Sequence, residues 1–135
     1  MPGSFFDTNV LVYLASGDPM KADRAEAAIA AGGAISVQVL NELANVARRK
    51  MGMSWTDTHM FLSMLRGLLT VHPVTLETHE VGLALAERYG LSTYDSMIAA
   101  AALHAGCDTL WSEDMQHGMT LGEGLRILNP FRETP

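Results

Sequence analysis

Four carboxylates, Asp7, Glu42, Asp95 and Asp114, sit inside or against apolar runs (SFFDTNVLVYL, SVQVLNELANV, STYDSMIAAAAL and TLWSEDMQHG), where a freely solvated acid has no reason to be placed. Stripping water from an ionised carboxylate is costly even after relaxation, so Asp and Glu are rarely buried without a compensating partner. No Lys or Arg lies within three residues of any of the four, and the chain holds 9 Lys and Arg against 15 Asp and Glu. A hard divalent cation, Mg²⁺ or Mn²⁺, suits such a set because these ions take carboxylate and water oxygens. Two unit charges about 4 Å apart repel by roughly 4 kcal/mol at an effective dielectric near 20, so acids gathered in one place need cations or bound protons. The chemistry open to them is metal-assisted phosphodiester hydrolysis, in which one ion lowers the pKa of a bound water and a second steadies the departing oxygen.

Each acid also has a purely structural reading. Asp7, between a strand and a helix, suits an N-cap accepting from the amide of Asn9 or Val10. Asp95 in a first helical turn gains from the helix dipole, and Asp114 in Ser112-Glu113-Asp114 suits an Asx turn. Glu42 fits a solvated helix face, although Gln38 and Val46, four residues to either side, offer it no ion pair.

The elements that would position these residues alternate along the chain. Residues 4–6 read as a strand, 8–15 as a short helix stopped at Ser16-Gly17-Asp18-Pro19, 20–31 as an Ala-rich helix ended by Gly32-Gly33, and 34–36 as a second strand. A helix over about 37–50 has Val39, Leu40, Leu43, Val46 and Ala47 on one side, with Gln38, Glu42, Asn45 and Arg49 beside them. Ser54 or Thr56 caps a helix to about Leu69, 71–74 is a strand that proline ends, and Thr75 or Thr78 starts a helix closing at Tyr89-Gly90. Ser92 to Asp95 opens an Ala-rich helix ended by Gly106, 109–111 is a strand, 112–118 a loop or single turn, and 126–128 a last strand. Alternation of this kind implies an α/β fold with a mostly parallel sheet, in which ligands gather at the carboxyl ends of the strands. Of the residues Trp55, Met60, Phe61, Met64, Leu65, Leu68 and Leu69, most are expected in the core, with some Met and aromatic side chains available as a groove for an amphipathic partner helix.

With 135 residues, 48% of them apolar, the chain reads as one domain over 1–135. The single Cys107 makes no internal disulfide and no Cys/His spacing suits zinc, which reads as cytoplasmic. No signal-peptide pattern and no unbroken apolar stretch of about 18 residues is present, so no membrane role is expected. A net charge of −6 argues against binding nucleic acid through a general basic surface, but two divalent cations would bring it to −6 + 4 = −2 and would themselves anchor phosphate. The serines lack a GxSxG signature and Cys107 lacks an activating partner, which disfavours covalent catalysis. Of the five histidines, His117, three residues after Asp114, is the one placed to touch substrate or a ligand.

Taken in order, FFDTNVLVYL, SVQVLNELANVARR, LSTYDSMIAAAAL and TLWSEDMQHG resemble the motifs of PIN-domain ribonucleases, and within them the VapC-like toxins of bacterial and archaeal toxin–antitoxin pairs, over roughly residues 5 to 129. The resemblance implies a three-layer α/β/α domain with a short, mostly parallel central sheet. It further implies an Mg²⁺- or Mn²⁺-dependent endoribonuclease, usually a homodimer, held inactive by a small antitoxin whose carboxyl-terminal segment enters or covers the site. It carries the acidic metal-binding role onto Asp7, Glu42, Asp95 and Asp114, and an orienting or water-positioning role onto Asn9 and Ser112. Glu113 is a candidate further ligand with a solvent-facing alternative, and is left out of the metal-binding set. In Arg48-Arg49-Lys50 the helix dipole accounts for cations at a helix end, yet Arg49, two turns beyond Glu42, is also placed to meet an RNA phosphate or the antitoxin; Lys21 and Arg24 are weaker candidates. The same acids would also serve a metal-dependent phosphatase or DNA nuclease, and a module that only binds RNA or protein is the remaining alternative.

Overall fold

The computed structural model describes residues 3–132. Its sheet has the order β3-β2-β1-β4-β6-β5, formed by β1 (Ser4–Phe6), β2 (Ala34–Ser36), β3 (Thr70–His72), β4 (Thr109–Trp111), β5 (Thr120–Leu121) and β6 (Leu125–Leu128). Five strands are parallel and only β5 runs antiparallel, against β6. The result is a three-layer α/β/α arrangement. Two-residue β5 leaves no periodic trace in the sequence, and β3 stops before Pro73 because proline has no N–H to give the ladder.

The helices begin where hydroxyl and carboxyl side chains can take up free amides. Ser36 caps α3 (Val37–Arg49), Ser54 caps α4 (Trp55–Leu68) and Ser92 caps α6 (Thr93–His104), while Thr75 and Thr78 form a reciprocal capping box on α5 (Leu76–Tyr89). α5 ends at Gly90, whose φ of 73° is the left-handed conformation that glycine adopts without strain. The first helical segment is α1 (Thr8–Leu11), which tightens into a 3-10 turn at Val12–Ala15 before α2 (Pro19–Ile29).

Phe5, Phe6, Ile35, Leu110 and Ile127 fill the sheet's share of the core and are fully buried. α6 is buried on every side from Ser96 to Ala102, and its run of alanines lets neighbours approach closely. The neighbour α5 does so through Gly82, where an added Cβ would stand 2.5 Å from Met97 Sδ. α4 departs from expectation. Leu65 and Leu69 are buried and Phe61 is half-buried, but Trp55, Met60, Met64 and Leu68 are 46–66% exposed. The helix packs chiefly on α3 and the edge strand β3, which leaves its opposite face open. No helix among the described residues is long and apolar enough to cross a membrane.

Candidate functional site

The carboxylates are delivered by sheet register. Phe6 of β1 pairs with Trp111 of β4, so the next residues, Asp7 and Ser112, leave the sheet side by side, and the Asp7 amide donates to the Trp111 carbonyl at 2.9 Å. Asp7 is the N-cap of α1, as its position predicts, but its Oδ1 accepts from the Thr8 amide at 2.7 Å rather than from Asn9 or Val10. Oδ2 is thereby left to the site, where it accepts from Ser112 Oγ at 2.8 Å and Asn9 Nδ2 at 3.1 Å. Asn9 also accepts from the Glu113 amide through Oδ1 at 2.9 Å, tying the start of α1 to the loop after β4.

Glu42 comes from the second turn of α3. Its Oε1 accepts from Thr8 Oγ1 at 2.7 Å and its Oε2 from Gln38 Nε2 at 3.0 Å, so it is held rather than left on a solvated face. Gln38 also donates to the Tyr94 carbonyl at 3.0 Å and so links α3 to the first turn of α6. There the Asp95 amide donates to Ser92 Oγ at 3.2 Å, which leaves the half-buried Asp95 carboxyl free to face the pocket. Asp114 is exposed. All four acids line one open pocket of about 360 Å³.

Burial and acid neighbours raise the proton affinities of Asp7 and Asp95. Burial, with added repulsion from Asp95 and Glu42, pushes Asp7 up to about 7 against the pull of the Ser112 and Thr8 hydrogen bonds. Asp95 is also raised, first by burial and then by Asp114 and Glu42, with the Ser92 contact opposing. The oxygen-only donor set fits Mg²⁺ or Mn²⁺, and a cation would reverse the penalty carried by Asp7. Among the described residues no three His, Cys, Asp or Glu side chains close tightly enough to hold a metal ion as they stand. Mutually repelling acids are expected to stand apart until neutralised, and Mg²⁺ usually needs only one or two carboxylates beside its waters.

The other expected participants differ in where they stand. Glu113 does not point freely to solvent: Oε2 takes a short ion pair from Lys21, and Oε1 accepts from Tyr13 Oη at 2.7 Å at the pocket rim. Lys21 is thus already paired, and Arg24 donates to the Arg132 carbonyl. His117 is outside the pocket lining; its Nδ1 accepts from the Asn129 amide at 2.9 Å and anchors the loop to the end of β6. Arg49 opens on a different pocket, and the cation that lines the acid pocket is Lys50. At about 100° per residue Arg49 stands near Glu42, but Val46 marks the pocket side and Lys50 follows it one turn later. Thr8 and Gln38 were legible only as polar neighbours of the acids, because their partners depend on the packing of α1, α3 and α6.

The family model described as the PIN domain matches residues 4–117. No curated protein matches the chain. Similar solved structures include a toxin–antitoxin complex from Klebsiella pneumoniae, 25% identical with a TM-score of 0.71, covering 94% of this chain and 97% of that one. DNA-bound VapBC from Salmonella typhimurium is 20% identical with a TM-score of 0.67, covering 96% and 99%. VapC20 of Mycobacterium tuberculosis, described as a sarcin-ricin loop cleaving toxin, is 18% identical with a TM-score of 0.67, covering 82% and 89%.

Proposed function

The chain belongs to the PIN-domain family, and from that premise we propose that it is a divalent-metal-dependent endoribonuclease, the toxin of a toxin–antitoxin pair. The observation that carries the reading is one pocket lined by Asp7, Glu42, Asp95 and Asp114, each from a different segment, with the buried Asp7 raised to about 7 by desolvation and acid neighbours. Asp7, Asp95 and Glu42 would hold Mg²⁺ or Mn²⁺, with Asp114 at the exposed rim. When bound, such a cation polarises a phosphodiester and acidifies water.

The protein's part is to keep its oxygens aimed. Ser112 and Asn9 hold Asp7 Oδ2 toward the pocket, Thr8 and Gln38 grip the two oxygens of Glu42, and the Ser92 cap sets the first turn that presents Asp95. Asp7 must give up its proton for the charged site to assemble, so cation binding and the ionisation of Asp7 are coupled. An antitoxin is the natural partner, since the similar solved structures include toxin–antitoxin complexes; a homodimer is what the family resemblance of the motifs implies.

The test offers RNA, DNA and phosphate monoesters to the purified protein with Mg²⁺ or Mn²⁺ and with chelator. Internal RNA cleavage that needs the metal and disappears in Asp7→Asn and Asp95→Asn, both still folded, is the expected result. Turnover of monoesters alone, cleavage of DNA alone, or RNA cleavage that survives both substitutions overturns the assignment.

A further inference from the structure

α3 opens on two pockets at once. Val46 and Lys50 line the carboxylate pocket, while their sequence neighbours Asn45 and Arg49, with Ala44, Arg48 and Trp55, line a second one of about 480 Å³. From Glu42 to Arg49 the helix rises only about 10 Å at 1.5 Å per residue, so a strand leaving the acids reaches this surface within a few nucleotides.

The second pocket is built for a polyanion with flat groups. The Arg48 guanidinium lies 4.3 Å from the centre of the Trp55 ring and is anchored by donating to the Met53 carbonyl. Trp55 nevertheless remains 61% exposed, and the His59 ring stands beside it at 6.2 Å. Three of the nine Lys and Arg residues fall in Arg48-Arg49-Lys50, in a chain of net charge −6, and none of the three pairs with a carboxylate among the described residues. The helix dipole accounts for cations at the end of α3, but not for an exposed indole held by an anchored arginine beside them.

We propose that this surface binds the single-stranded RNA flanking the scissile bond, with phosphates at Arg49 and Lys50 and a base stacked on Trp55. The proposal rests on the ribonuclease reading and adds where the strand runs. Stacking on an exposed aromatic ring is tolerant of base identity, and cations along the path supply salt-dependent affinity.

The experiment measures binding of a labelled single-stranded oligoribonucleotide, long enough to span both pockets, to Asp95→Asn protein in Mg²⁺ at several salt concentrations. Adding Trp55→Ala is expected to weaken binding roughly tenfold, with Trp55→Phe recovering most of the loss. Adding Arg49→Ala is expected to lower the slope of log affinity against log salt by about 0.7. Arg88→Ala, which removes the same charge from a side chain outside the lining of both pockets, is expected to change neither. Melting curves confirm that each variant is folded. Unchanged affinity and salt slope in Trp55→Ala and Arg49→Ala overturn the proposal, including the case where these variants alter only self-association or antitoxin binding. The ribonuclease reading then stands if the unsubstituted protein still cleaves RNA. If that protein neither cleaves nor binds RNA, the ribonuclease reading has failed first and this proposal falls with it.

Discussion

Asp7 holds the least comfortable charge in the molecule: it is 3% exposed, faces other acids, and is pushed from 3.8 up to about 7. The folded state therefore keeps a proton that the unfolded chain has released between about pH 4 and pH 7. Below that window both states are protonated; through it, stability falls as pH rises, by up to about 4 kcal/mol once Asp7 is ionised in the fold. Urea melts of metal-free protein are expected to show this decline. Asp7→Asn should flatten most of it, leaving a smaller fall in the same direction from Asp95, and a decline of full size in Asp7→Asn would show that another group is responsible. Ser112→Ala removes the strongest contact opposing that rise, so the pH at which cleavage switches on should move upward and activity fall about 10–100-fold. His117→Ala supplies the contrast: losing the acceptor for the Asn129 amide should lower stability by about 1 kcal/mol while cleavage per folded molecule is retained.

At the scale of elements, the site depends on how α6 is seated. Asp95 rides on its first turn, and the helix is enclosed from Ser96 to Ala102, so any shift of α6 moves a carboxylate. It packs against Gly82 of α5, where a methyl group would meet both Met97 Sδ at 2.5 Å and Met97 Cα at 3.3 Å. Gly82→Ala is therefore expected to destabilise the fold by about 1–3 kcal/mol, and Met97→Ala in the same chain to recover part of that loss. A double-mutant cycle by denaturant melts checks the coupling; strictly additive effects would mean that α5 and α6 do not meet there.

The whole molecule is acidic, and the pocket concentrates that acidity in one crevice at the carboxyl ends of the parallel strands. Two bound divalent cations would change the net charge from −6 to −6 + 4 = −2. Each Mg²⁺ site filled at about 100 times its dissociation constant should raise global stability by about 2.7 kcal/mol, read as an increase in melting temperature that Asp7→Asn and Asp95→Asn abolish. An equal increase in both variants would place the bound ion outside this pocket.

Much of this protein is written in short-range chemistry. Ser54, Thr75 and Ser92 mark helix starts, Gly90 marks an end, and strands 4–6, 34–36 and 109–111 were legible because each signal acts within a few residues. The four acids were legible for the same reason, as charges set in apolar surroundings. Tertiary structure alone decided that Glu113 would join Lys21 and Tyr13, that Lys50 rather than Arg49 would line the acid pocket, and that α4 would leave Met60, Met64 and Leu68 uncovered. Those outcomes turn on pairings such as Ser112 with Asp7, 105 residues apart, which sheet register and helix packing bring together and which no local preference encodes.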